Sequence, residues 1–192
     1  MGANKAVKPF LGVPLIKRLI HRFSSLNYPM MIVANEPDMF SNMDLPIITD
    51  IEPGHGALGG LLTALSIPET KYIGLVACDM PFANPELLRM EYTLIQQNQF
   101  DAVVPTNYLG YEPFQAVYDR EACVQHVRRC VLAGDRKMIN WFDDANIFEY
   151  PIHKFDQNSE LPEIFYNMNT PADWLYAEKI AKNKGMQMGE LV

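Results

Sequence analysis

The chain has 192 residues, 48% hydrophobic and 20% charged. That length suits one domain, and the apolar fraction excludes a disordered chain and suffices for a sizeable core. Sixteen Lys and Arg against 23 Asp and Glu give a net charge of −7, the wrong sign for a domain that holds nucleic acid by neutralising phosphates.

An anionic small molecule is compatible with that charge if its site supplies a lysine or a metal ion against the field of the whole protein. Uncharged apolar runs such as 72–78 fall far short of the ~20 residues that cross a bilayer, and no basic segment leads into an apolar one as in a signal peptide. No membrane is expected as a partner. The three cysteines lack CxxC or metal-ligand spacing and read as reduced thiols of a cytoplasmic protein. Cys123 and Cys130, seven apart, share a helix face and read as packing residues.

In chain order, Leu15, Leu19, Ile20, Phe23 and Leu26 recur at helical spacing after Pro14, which predicts a first helix. The run 30–34 is continuously apolar, as in a strand covered on both faces, and 45–49 reads as a second short strand. A glycine-rich stretch, 54–60, opens a helix over 58–65. Residues 72–78 give the clearest buried-strand pattern of the chain. Asn84, an N-cap residue followed by Pro85, starts a helix to Gln97. Strands are predicted over 101–105 and 114–118, helices over 120–132 and 135–142 either side of Gly134, and a strand over 147–150. Asn169-Thr170-Pro171 opens a last helix to about Lys182, and the polar tail from Asn183 is expected to fray. The alternation predicts a three-layer, Rossmann-like α/β fold with a mainly parallel sheet and helices on both faces. Such sheets bind ligands at the carboxyl ends of their strands. Asn35, Asp50 and Asp79 each follow a predicted strand.

Asp79 is the best chemical candidate. A carboxylate where a buried strand ends suits Mg²⁺, which takes one or two carboxylates plus substrate phosphates and keeps several waters; a turn aspartate is the alternative. Asp50 leads a segment with Gly54, Gly56, Gly59 and Gly60, which either lets the backbone approach a ligand closely or forms a surface loop with tight helix packing. Lys5 reads as a solvated terminus on position alone. His55 lacks a partner at ligand spacing, and no serine elbow or HExxH occurs.

Seven short motifs nevertheless occur in one order: Met1-Gly2-x-x-Lys5; Gly12-Val13-x-Leu15; Val33-Ala34-Asn35; Asp50 ahead of the glycine stretch; Cys78-Asp79-Met80-Pro81; Glu112-Pro113-x-x-Ala116-x-Tyr118; and Asn167-Met168-Asn169-Thr170-Pro171. Together they resemble the molybdenum cofactor guanylyltransferases, within the nucleotidyltransferases of Rossmann-like fold, over residues 1 to about 180. The resemblance implies a single nucleotidyltransferase domain over 1–192 that transfers GMP from GTP to molybdopterin, with Mg²⁺ as cofactor and release of pyrophosphate. Molybdoenzymes or cofactor-insertion proteins would be its partners. By the match, Asp79 would hold the metal and Lys5 would neutralise the triphosphate, the two forming the catalytic pair. Asp50 and its loop, including Gly56, would face the nucleotide, the carboxylate accepting from guanine; Asn35 would touch base or ribose. Asn167 and Asn169 would lie on the acceptor side, Asn169 equally suiting a helix cap. Rival readings are a same-fold cytidylyl or sugar-phosphate transferase, and a molybdopterin-binding paralogue without catalysis.

The chain departs from the pattern at its start. The family has an apolar strand and a Leu-Ala-Gly-Gly-x-x-x-Arg loop before Met-Gly, and commonly Asp where Asn4 stands here. Either the start falls at an internal methionine, with roughly 10–20 residues upstream (strands being ~5–6 residues long), or the chain is a paralogue that has lost catalysis. Retention of Lys5, Asp50 and Asp79 favours the first.

Overall fold

The computed structural model of the protein describes residues 5–155, 163–186 and 189. The Met1-Gly2 motif and Asn4 lie outside the described residues, as does half of the tail expected to fray.

The described residues open with a short 3-10 turn, Lys5–Val7, and a hairpin of β1 (Pro9–Phe10) and β2 (Val13–Pro14). Both turn residues have positive φ, Leu11 at 48° and Gly12 at 79°, as tight hairpin turns require. A leucine in that region is strained; burial of its side chain to 1% exposure outweighs the strain. Helix α1 (Leu15–Ser24) follows, with Leu15, Leu19 and Phe23 buried. Strands β3 (Ile32–Val33) and β4 (Ile47–Ile48) pair in parallel. Helix α2 (Gly56–Ser66), strand β5 (Tyr72–Val76) and helix α3 (Pro85–Gln97) come next, α3 capped by the Asn84 side chain, which accepts from the Glu86 amide at 2.8 Å. Then follow β6 (Ala102–Asn107), β7 (Gly110–Tyr111), β8 (Gln115–Asp119), α4 (Arg120–Leu132), β9 (Ile147–Pro151) and α5 (Pro171–Asn183).

Strand alternation sorts the core into layers. On β6, Val103 faces one way into a core with Phe10 of β1 and Leu15, Leu19, Leu87, Ile95 and Trp174 of α1, α3 and α5. Ala102 and Val104 face the other way, against Leu58, Leu61, Leu62, Cys123 and Val127 of α2 and α4. A helix–sheet–helix sandwich results, as expected from strands covered on both faces.

The sheet direction corrects the expectation. The order is β5-β8-β6-β7 with β9 beside β6, and β5–β8, β8–β6 and β6–β7 are all antiparallel. Among the described residues only β6–β9 in this sheet, and the separate pair β3–β4, are parallel. Burial on both faces does not fix direction; connection length does. Seven residues, 108–114, separate β6 from β8, too few for the crossover a parallel pair needs. β8 then wedges between β5 and β6, so both neighbours run against it. Among the described residues β5 pairs with β8 alone and β3 with β4 alone. Among these residues the strand read as most buried is accordingly an edge: in β5 only Ile73 is fully buried and Gly74 is exposed.

A helix over 135–142 does not form. That stretch runs through turns into a 3-10 segment, Phe142–Asp144. It is too short to sustain a helix by itself, and Met138, Trp141 and Phe142 are buried in the core beneath α2 and α4. The last helix ends as expected, but the tail does not simply fray: the Gly189 amide donates to the Leu11 carbonyl at 2.8 Å. No helix among the described residues is long and apolar enough to cross a membrane. All three cysteines are free; Cys123 is buried and its thiol donates to the Asp101 carbonyl at 3.0 Å.

Candidate active site

Asp79 stands three residues beyond the carboxyl end of β5, in a connection that reaches α3 at Pro85. Met80, Phe82 and Ala83 turn into the core and pin this loop, leaving Asp79 half-buried at its mouth. The Asp79 carbonyl accepts from the Met168 amide at 2.9 Å, tying the loop to the segment ahead of α5. Asp79 does not cap α3, which Asn84 does.

That segment also carries Asn169. The Lys5 ammonium donates to Asn169 Oδ1 at 2.7 Å. Lys5 acts electrostatically on Asp79 as well: partial burial raises the Asp79 carboxyl above its ordinary value, while the Lys5 cation and the residue's own amide work against that rise. A half-desolvated carboxylate of this kind favours a cation beside it. Three residues expected to be functional, from the beginning, middle and end of the chain, therefore converge. Lys5 is not a solvated terminus but a half-buried, hydrogen-bonded ammonium.

Asn169 is not the cap of α5. Thr170 is, in a capping box: its side chain accepts from the Asp173 amide, and the Asp173 carboxylate accepts from the Thr170 and Asn169 amides at 2.7 and 2.9 Å. This frees the Asn169 side chain for Lys5. Asn167 is turned toward its own segment, its Nδ2 donating to the Phe165 carbonyl at 3.0 Å.

A second group lies after β3 and β4. Asn35 Nδ2 donates to Asp50 Oδ2 at 2.7 Å, and the Asp50 amide reaches Asn35 Oδ1 at 3.3 Å. The first turn of α2 packs against that carboxylate. A Cβ on Gly59 would stand 3.0 Å from the Glu52 carbonyl and 3.7 Å from Asp50 Oδ2, and one on Gly60 3.9 Å from Asp50 Oδ1. The paired glycines thus let the helix approach Asp50. Gly56, exposed and at φ 57°, is the first residue of α2. His55 Nδ1 lies 3.4 Å from the Asp135 carbonyl. The two groups share no hydrogen bond among the described residues.

No group of three or more His, Cys, Asp or Glu suited to a metal occurs among the described residues. A lone strand-end carboxylate fits Mg²⁺ only if substrate phosphates and water complete its shell.

Two residues near Asp79 escaped the sequence reading. Arg22 of α1 donates from Nη1 to the Pro81 carbonyl at 2.6 Å, and Gln115 of β8 bonds both backbone groups of Asn84. A signal existed for each: Arg22 falls on the apolar stripe of α1, one helical turn before Leu26, and Gln115 is polar inside an apolar strand.

The family described as "MobA-like NTP transferase domain" matches residues 1–148. A "Probable molybdenum cofactor guanylyltransferase" of Carboxydothermus hydrogenoformans is 27% identical over 95% of this chain and 89% of its own length. A protein of the same description from Natranaerobius thermophilus is 27% identical over 93% of this chain and 89% of its own. Among solved structures, molybdopterin-guanine dinucleotide biosynthesis protein A of Archaeoglobus fulgidus superposes with a TM-score of 0.82 at 28% identity, covering 95% of this chain and 92% of that one. With the match spanning most of its length, this chain belongs to the MobA-like NTP transferase domain family.

Proposed function

We propose that this chain transfers GMP from GTP to molybdopterin, forming the guanine dinucleotide cofactor. An acceptor phosphate oxygen attacks the α-phosphorus of GTP; the bond from that phosphorus to the β-phosphate bridging oxygen breaks, and pyrophosphate leaves. Such a reaction needs positioning and charge neutralisation more than covalent chemistry.

The observation that carries the reading is the convergence of Lys5, Asp79 and Asn169. In a chain of net charge −7 a triphosphate needs local cations. Lys5 supplies one. Asp79 is the residue that would hold Mg²⁺, which neutralises phosphate charge when bound with the nucleotide. The Lys5–Asn169 bond orients the ammonium before substrate arrives. Asn169, with Asn167 two residues back, faces the acceptor side. Asp50, steadied by Asn35 and approached by α2, accepts from the guanine N1–H and amino group, a donor pair that cytosine and adenine do not present in that arrangement. Gly56 offers its exposed backbone beside this subsite. The names of the curated relatives agree with this substrate pair.

Thermal melting with a panel of nucleotides and Mg²⁺ tests the assignment. Ligand at 100-fold excess over Kd raises stability by ~2.7 kcal/mol. GTP should raise the melting temperature more than CTP, ATP or UTP. Stabilisation by CTP and not GTP would defeat the guanylyl reading.

A further inference from the structure

We propose that Arg22 and Gln115 are positioning residues that clamp the Asp79 loop; the inference rests on the reading of Asp79 as the metal-holding carboxylate.

Residues 77–84 form no helix or ladder of their own, yet their backbone is tied from several sides. The Ala77 amide donates to the Phe114 carbonyl at 2.8 Å, and Met168 donates to Asp79 at 2.9 Å. Beyond Asp79 the loop has two turn bonds of its own, Met80 amide to Ala77 carbonyl at 3.4 Å and Ala83 amide to Met80 carbonyl at 3.2 Å, and its ties to other elements come from side chains. Arg22 Nη1 reaches the Pro81 carbonyl at 2.6 Å and the Ala83 carbonyl at 3.4 Å. Gln115, fully buried, uses both ends of its amide on one residue: Oε1 accepts from the Asn84 amide at 3.1 Å and Nε2 donates to the Asn84 carbonyl at 2.9 Å. Asn84 in turn caps α3. The loop is thus held two residues after Asp79 and again at its far end.

Both residues are costly choices for packing alone. A guanidinium on the apolar stripe of α1 and an amide inside β8 must each be desolvated, which is tolerable only with well-made hydrogen bonds. Burial lowers the Arg22 pKa, with the neighbouring Arg18 cation adding to the effect. Arg18, one turn earlier, holds the carbonyls of Phe10 and Leu11 at 2.8 and 3.0 Å. Those residues belong to the hairpin that follows Lys5. One helix therefore grips the segments bearing Lys5 and Asp79. Charge-assisted bonds are shorter and more directional than neutral ones, which suits a group whose carboxylate must sit in register with an ammonium on another segment.

The test compares the full chain with Arg22→Met, Arg22→Lys, Gln115→Met and Asp79→Asn. Calorimetric titration with α,β-methylene GTP, with and without Mg²⁺, gives the factor by which the metal tightens nucleotide binding. Each variant is read well below its melting temperature. Residues that orient a metal-holding group typically cost 10–100-fold in metal affinity. Arg22→Met and Gln115→Met should keep metal-free affinity and lose ~10-fold or more of the Mg²⁺ gain. Arg22→Lys, which retains a cationic donor, should recover most of it, and exchange of the amides of Asp79, Met80, Phe82 and Ala83 should quicken in the two methionine variants alone. Full Mg²⁺ gain in both methionine variants overturns the proposal, as does an Arg22→Lys variant no better than Arg22→Met. Failure of both methionine variants to fold assigns these residues to the scaffold and also overturns it. If Asp79→Asn loses the gain while the clamp variants keep it, the clamp alone falls; if Asp79→Asn keeps the gain, the metal assignment falls and the clamp with it.

Discussion

The Lys5 ammonium donates to Asn169 Oδ1 at 2.7 Å across 164 positions of sequence. The contact joins the first described residue to the segment ahead of α5, whose Met168 amide donates to the Asp79 carbonyl. It places a cation where a triphosphate needs one and gives that cation a fixed direction. Lys5→Ala should weaken GTP binding about 10-fold or more, since a hydrogen bond to a charged group is worth ~1.5–3 kcal/mol. The fold should change little, because Lys5 is only half-buried. Titration calorimetry with GTP and a thermal melt check both parts. Unchanged affinity would return Lys5 to an ordinary surface role.

The Asn35–Asp50 pair carries base choice. Asp50→Asn replaces an acceptor with a group that can also donate, so the guanine N1–H and amino group lose part of their match. GTP affinity should fall roughly 10–100-fold, with CTP and ATP affected far less. A competition titration measures the ratio. A uniform loss across nucleotides would place Asp50 away from the base.

Glu91 of α3 is fully buried, and neither carboxylate oxygen has a hydrogen-bond partner among the described residues. Tyr118 of β8 and Tyr150 of β9 lie within electrostatic reach. Burial holds the Glu91 carboxyl well above its ordinary 4.5. The folded state therefore keeps a proton that the unfolded state releases above about pH 4.5. Stability contributed by this group is fully present below the unfolded value. It is lost as pH rises toward the folded one, by up to about 1.4 kcal/mol per pH unit. Glu91→Met should raise the urea midpoint at pH 8, with a smaller gain at pH 5. A gain independent of pH would show that Glu91 is not held neutral.

The α5 capping box gives a separate stability prediction. Thr170→Ala should cost ~1 kcal/mol. Hydrogen bonds from Thr170 and Asn169 hold the Asp173 carboxyl below its ordinary value of 3.8. Its contribution is present above that value and lost as pH falls through the lower folded one. Thr170→Ala should therefore cost less in strong acid than at pH 7. Urea unfolding at pH 7 and in strong acid, at about pH 2, compares the two; equal cost at both would mean the carboxylate adds nothing to the cap.

Much of the architecture was legible because it depends on local signals. The Asn84-Pro85 start of α3 and the extent of α4 match the pattern to the residue, and the alternation of β6 and β8 sorts into two core faces. Strand direction was misread: apolar runs report coverage, whereas direction was set by the short 108–114 connection. The 135–142 segment was read as a helix beyond Gly134, but Met138, Trp141 and Phe142 are fixed by tertiary packing instead. Within the site, single residues at strand ends were visible and their partners were not. Nothing near Lys5 in sequence points to Asn169, and Arg22 was hidden because helical periodicity is counted on apolar residues. The glycines of 54–60 were legible as a group; only the Asp50 carboxylate beside Gly59 and Gly60 shows why two of them are needed.

Transfer itself is the most direct measurement. Purified protein is incubated with GTP, molybdopterin and Mg²⁺, and pyrophosphate release and the guanine dinucleotide product are followed together, with Asp79→Asn alongside. The account predicts both products in equal amounts, dependent on molybdopterin, and a loss of at least ~100-fold in Asp79→Asn. Equal turnover in Asp79→Asn, or a cytidine dinucleotide formed from CTP while GTP yields nothing, would contradict it.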